Sequence, residues 1–177
     1  FLDSRISIKF LPLTVFVVSA INAAAHFRSD DVFRYLKTGL AGLSFDEISE
    51  LENYVYIWSI NGQKWLEAWN MSPYGLDAVP DEEKAKAQLE YINNLRQKAL
   101  KPLNNFKNRF GTAAADMVKA IYHLILDCDA AKRLENYTSE LEAKGDFVTA
   151  SAQQQGWDKL MEVLDRLVLC FGEQEVG

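Results

Sequence analysis

Between Asn93 and Arg109 the chain carries Arg96, Lys98, Lys101, Lys107 and Arg109 and no acidic residue, interleaved with Asn93, Asn94, Gln97, Asn104, Asn105 and Asn108. Flexible cations and amides in this density neutralise and hydrogen-bond a phosphate backbone without reading bases, and such binding falls steeply with salt. A solvated helix face that merely lacks acids has the same composition, so both readings stand. A smaller basic group, Arg34, Lys37 and Lys64, has Trp65 next to it, where an aromatic ring offers a stacking platform for a base. Trp65, Trp69 and Tyr74 also suit a second use, as aromatic anchors that dock a partner protein. Trp65 suits a hydrophobic core equally well.

The search for catalytic groups is mostly negative. No Gly-x-x-x-x-Gly-Lys-Ser/Thr loop is present to cradle phosphates, and there is no Gly-x-Gly-x-x-Gly. His26 and His123 are the two histidines, and neither stands in a His-Glu-x-x-His or Cys-x-x-Cys setting that would collect a metal. His123 and Asp127, four apart, are expected to form a solvent-facing pair. Cys128 and Cys170 lie on or beside apolar helical stripes and are expected in the core as inert thiols rather than nucleophiles. Asp46, Glu47, Glu50 and Glu52 crowd the start of one helix, where carboxylates favour the positive end of its dipole. The segment is therefore expected to have no catalytic residue, bound cofactor or metal of its own.

These side chains must be positioned by helices. Of 177 residues only nine are Gly and four Pro, too few turns for an all-β fold, and 49% are hydrophobic, ample for a core. We therefore expect an all-α, multi-helical domain of six to eight helices spanning 1–177. A net charge of −6, from 19 Lys and Arg against 25 Asp and Glu, argues against a chain that is basic overall. Arg5 and Lys9 before the apolar run Phe10 to Ala20, with Ala23-Ala24-Ala25 behind it, imitate a secretory signal. Ser19 and Asn22 interrupt that run short of a membrane span, and it is read as a buried helix, Leu13 to Phe27. No membrane contact is expected. Two cysteines make no disulfide framework, which fits a reduced, cytoplasmic chain. The chain opens with Phe rather than Met and is expected to be excised from a longer protein.

Local signals place the other elements. Asp30 and Gly39 bracket a short helix over Asp31 to Thr38. Ser44-Phe45-Asp46-Glu47 has the pattern of a capping box, followed by the stripe Ile48, Leu51, Val55 and Trp58. Gln63 to Val79 (63–79) reads as a long irregular connection, a length often tied to function. From Pro80 a stripe through Ala85, Leu89, Ile92, Leu95, Ala99, Leu103, Phe106 and Phe110 predicts about 30 residues of helix. Pro102 is expected to kink or break it. Thr112 is expected to cap the next helix, which buries Met117, Val118, Ile121, Leu124, Ile125 and Cys128. Another helix through Leu134, Tyr137 and Leu141 ends at Gly145. The last spans Phe147 to Phe171, with Trp157, Leu160, Met161, Leu164, Leu167 and Val168 inward and Gly172 as its stop.

Asp31-Val-Phe-Arg-Tyr-Leu-Lys-Thr-Gly39, then Glu50-Leu-Glu-Asn-Tyr-Val55, Gly62 and Trp65, resembles the B subunit of AddAB-type (RexB-type) bacterial ATP-dependent helicase-nucleases. The likeness is strongest over residues 30–70; Phe1-Leu-Asp3 fits less specifically, and Lys98-Ala-Leu-Lys-Pro-Leu103 looks like a basic Leu-x-Pro-Leu helix of such proteins. The resemblance implies processing of DNA double-strand breaks for recombinational repair, in a heterodimer with an exonuclease-bearing A subunit. The family's ATP and Mg site and its iron-sulfur cluster belong to motifs near the two ends of the B subunit, and none matches a position here. What it implies for this chain is a helical insertion that shapes a DNA channel or contacts the A subunit. Assigning Arg34, Lys37, Lys64, Arg96, Lys98, Lys101, Lys107 and Arg109 to DNA rests on charge alone.

Overall fold

The computed structural model describes residues 7–76 and 81–171, the side chain of Phe171 excepted. Seven α-helices follow one another: α1 (Pro12–His26), α2 (Ser29–Leu36), α3 (Phe45–Ile57), α4 (Glu82–Asn108), α5 (Ala114–Asp127), α6 (Ala130–Ala143) and α7 (Phe147–Phe171). Short 3-10 turns cover Ile8–Phe10 and Gly62–Trp65, and no strand is present among the described residues. The architecture is all-α. Pro80 and Gly172, and the last residues of the 63–79 connection, lie outside the described residues.

α1 is the apolar centre. Leu13, Phe16, Val17, Ala20, Ala23 and Ala24 are buried, and the helix packs on α2, α4 and α7. The run that imitates a signal is thus a core helix, and among the described residues no helix is long and apolar enough to cross a membrane. α4 links α1 and α3 to α5, while α7 closes the far side against α5, α6 and α1. One hydrophobic cluster draws on all seven helices, from Leu13 to Leu164.

Several ends follow the local code. Ser44 accepts from the Glu47 amide at 3.2 Å while Glu47 accepts from the Ser44 amide at 2.7 Å, completing the capping box of α3. Gly39 and Gly145, at φ 78° and 80°, take the left-handed conformation that ends α2 and α6. Other ends differ. α2 begins at Ser29 rather than Asp31, and Asp30 does not cap it. Its first amide is satisfied from a distance, by Ser29 N donating to Asn61 Oδ1 at 2.9 Å. Thr112 does not cap α5, whose N-cap is Ala113 without a side-chain bond. Pro102 does not end α4, which runs unbroken from Glu82 to Asn108 with the proline ring buried. Only one amide donor is forfeited there, and packing of the flanking Leu100, Leu103 and Phe106 offsets it.

The cysteines part ways. Cys128 is buried, 3.1 Å from the Tyr35 hydroxyl, and burial pushes its thiol up to about 11. Cys170, one residue before the end of α7, is exposed and not in the core. Val168 is also 39% exposed, contrary to its expected inward placement.

Candidate nucleic-acid interface

α4 does two jobs on two faces. Its inner face holds the connection after α3. Asn93 takes Trp69 as a strand partner would, accepting from Trp69 N at 3.0 Å and donating to Trp69 O at 2.8 Å. Arg96 Nη1 donates to Trp65 O at 2.9 Å, and its guanidinium lies 5.6 Å from the Trp69 ring centre. Trp65 Nε1 donates to Ser29 Oγ and Trp69 Nε1 to Lys64 O, both at 2.9 Å. The two indoles meet edge to face, Phe33 closes on Trp65, and Tyr54 stacks on Trp69 at 5.1 Å. Both indole N–H groups are therefore satisfied while the rings are removed from water.

This geometry corrects three assignments. Trp65 is 0% and Trp69 4% exposed, so neither can anchor a partner and Trp65 offers no stacking platform. Tyr74 is half-buried in the turn that follows, its amide donating to Ser72 Oγ. Arg96 is 6% exposed and binds the protein's own backbone, so it is withdrawn from the basic face. Burial lowers the Arg96 pKa, and the Trp65 carbonyl, Asn93 Oδ1 and the Trp69 ring compensate the charge in place of water.

The outer face of α4 lines a groove of about 550 Å³ with Asn94, Gln97, Lys98, Lys101, Asn104 and Asn105 around the apolar floor of Leu66 and Leu100. No carboxylate lines it. Lys98, Lys101 and Asn105 also face a smaller cleft of about 380 Å³, closed by Gly42, Asp127, Asp129 and Arg133. Arg133 in turn lines the largest of these three grooves, about 1000 Å³, together with Arg34 and Lys37. The two basic groups that are far apart in sequence are thus joined through Arg133, a residue of α6 that sequence reading passed over. Its neighbours in sequence, Lys132 and Glu135, give no charge segregation to notice; only the cleft that it shares with Lys98 and Lys101 reveals it.

The cations differ in freedom. Lys98 pairs with Glu47 at 2.8 Å, Lys37 with Glu52 at 2.6 Å and Arg109 with Asp127 at 2.8 Å. The hydrogen bond from Lys98 holds the Glu47 carboxyl below its usual value. Burial would raise Asp127, but hydrogen bonds from Arg109 and Asn105 outweigh it and the net shift is downward. Asp127 bonds to Arg109 and Asn105, and His123 acts on its carboxyl through charge, the charge-pair form of the expected His123–Asp127 pairing. Arg34, Lys64, Lys101 and Lys107 make no ion pair among the described residues. Lys107 sits over the Phe27 ring at 5.1 Å, and Lys64, Lys107 and Arg109 line none of the three grooves.

Among the described residues, no three His, Cys, Asp or Glu side chains gather to hold a metal ion. The chain is thus an all-α assembly with a groove, on the outer face of α4, lined by cations and amides and by no carboxylate. No family model matches it. Curated relatives do: it is 32% identical to the B subunit of the ATP-dependent helicase/deoxyribonuclease of Caldanaerobacter subterraneus subsp. tengcongensis, across 100% of this chain and 16% of the relative. Identity is 33% to the B subunit of the same name from Thermoanaerobacter pseudethanolicus, with the same coverage, and 33% to that of Symbiobacterium thermophilum, across 98% of this chain and 16% of the relative. The chain belongs to the AddB-type family and spans 16% of the length of the curated relatives it matches.

Proposed function

We propose that this chain is a non-catalytic helical part of an AddB-type protein that guides a nucleic-acid backbone along the outer face of α4. The observation that supports the reading best is the groove lined by Asn94, Gln97, Lys98, Lys101, Asn104 and Asn105 and by no carboxylate, in a chain whose net charge is −6. Segregating cations from acids in this way creates a local attractive potential for polyanions despite an acidic whole. The relatives' name brings DNA as the substrate and a partner A subunit, and the work would be break repair in the cytoplasm. ATP, Mg and the iron-sulfur cluster would be held by other parts of the parent. Cys128, hydrogen-bonded to Tyr35 and raised to about 11, does not fit as a cluster thiolate.

The test is fluorescence anisotropy with a labelled 20-nucleotide single strand, comparing the unaltered chain with the double variant Gln97→Glu, Lys101→Glu. Both residues are exposed and make no ion pair among the described residues, so helix content should not change. Affinity should drop about tenfold or more as phosphate contacts are replaced by repulsion. Equal affinity of the two proteins would remove the α4 groove from the account.

A second reading has its own support. Phe10 and Phe45, 69% and 71% exposed, with Tyr137 border the largest groove, where Arg34, Lys37 and Arg133 mix with Asp30, Glu52 and Glu140. Exposed aromatics among mixed charges suit a protein partner such as the A subunit. A chain that binds no oligonucleotide at any salt would favour this surface over the α4 groove.

A further inference from the structure

We infer that the cleft between α4 and the α5–α6 junction is a phosphate subsite, with Arg133 as its clamp. The inference rests on the nucleic-acid reading above and goes further by fixing one contact point.

The cleft is built from four places in the chain. α4 brings Lys98, Lys101 and Asn105, the loop after α2 brings Gly42, the end of α5 and the junction after it bring Asp127, Cys128 and Asp129, and α6 brings Arg133. Arg133 is held in position by its own Nε, which donates to Cys128 O at 3.0 Å. That bond uses one edge of the guanidinium and leaves the Nη groups as the remaining donors. They face Gly42: a Cβ built on Gly42 would lie 3.7 Å from Arg133 Nη2. Gly42 has φ 91°, a conformation that side chains rarely adopt, so the wall opposite Arg133 is kept bare backbone.

Charge decides which ligand fits. Glu47 takes up Lys98, and Arg109 with Asn105 takes up Asp127. Setting those pairs aside leaves Lys101 and Arg133 against Asp129, a surplus of positive charge around about 380 Å³. A planar guanidinium anchored at one edge and a mobile ammonium make a site for a tetrahedral oxyanion, which accepts from a fork and a point charge together. The cleft opens on one side to the α4 groove through Lys98 and Lys101, and on the other to the groove of about 1000 Å³ through Arg133 itself. A phosphodiester seated there would join the cations of the α4 groove to Arg34 in one path for a strand. Without it they are separate patches.

The site is tested with two probes on the 177-residue chain. In 15N-resolved NMR, inorganic phosphate should shift the Gly42 amide saturably, and Arg133→Gln and Lys101→Gln should each abolish or strongly weaken the response. Lys144→Gln, at the opposite end of α6, should leave it intact. Lys101 makes no ion pair among the described residues, so its variant keeps the test meaningful if loss of the Arg133 bond to Cys128 O disturbs folding. In anisotropy with a 20-nucleotide thymidine strand, Arg133→Gln should flatten the slope of log affinity against log salt by about 0.7, one phosphate's worth on a single strand. If the strand binds and both variants match the unaltered chain with both probes, the subsite is overturned while the α4 reading survives. If phosphate titrates Gly42 but no strand binds, the subsite stands and the nucleic-acid reading falls.

Discussion

Arg96 and Lys101 lie five residues apart on α4 and have opposite roles, and the difference is set by what covers each. Both line the α4 groove, but Arg96 is 6% exposed under the Trp65 and Trp69 turn and bonds to the Trp65 carbonyl, whereas Lys101 is exposed there. A buried guanidinium paired with backbone is costly to orphan, so removing what it serves should be felt in stability rather than binding. Trp65→Ala leaves the carbonyl that Arg96 binds but removes a fully buried indole, and is expected to destabilise the chain by about 3–5 kcal/mol, the usual range for truncating a buried aromatic. Thermal unfolding followed by circular dichroism should show a midpoint lowered on the order of 10 °C. A midpoint within two or three degrees of the unaltered protein would mean that the indole is not the centre of the connection. The same substitution is no test of partner docking, because its effect comes through the core.

At the scale of elements, helix ends written in neighbouring residues were readable and those completed from afar were not. The Ser44–Glu47 box and the glycine stops at Gly39 and Gly145 need nothing beyond a few residues, and the structure has them. The start of α2 depends on Asn61, thirty-two residues away, and no local signal marks it. Arg96 left a faint trace: Ile92 and Leu100, four residues on either side, are apolar and buried, so a polar residue between them stands on an inward line. The connection expected over 63–79 opens in the 3-10 turn Gly62–Trp65, and its rings Trp65 and Trp69 fill the core. Another element-scale contact was invisible in sequence. Gly156, buried in the middle of α7, lets Leu11 approach, and a Cβ there would collide with the Leu11 side chain. Ala is normally better than Gly in a helix by about 1 kcal/mol, whereas overpacking a tight contact costs about 1–3 kcal/mol. Gly156→Ala should therefore lower denaturant stability by up to about 2 kcal/mol at unchanged slope; a gain would show that Leu11 moves aside freely.

For the whole molecule, an acidic chain keeps a groove on α4 free of carboxylates because the fold sorts its charges. Glu47, Glu52 and Asp127 are drawn to particular cations, while Asn94, Gln97, Lys101 and Asn104 stay together on α4. The α4 groove was visible in the sequence through its missing acids. Arg133 was hidden, since the cleft that it lines draws on α4 and the loop after α2. Family membership was legible in residues 30–70, and the relatives extend it to the full chain. The most direct measurement is the salt dependence of single-strand binding by the unaltered chain between about 50 and 200 mM salt. Three or more phosphate contacts along the path predict that log affinity falls against log salt with a slope of about −2 or steeper. A flat dependence, or no binding at the lower salt, would contradict the account.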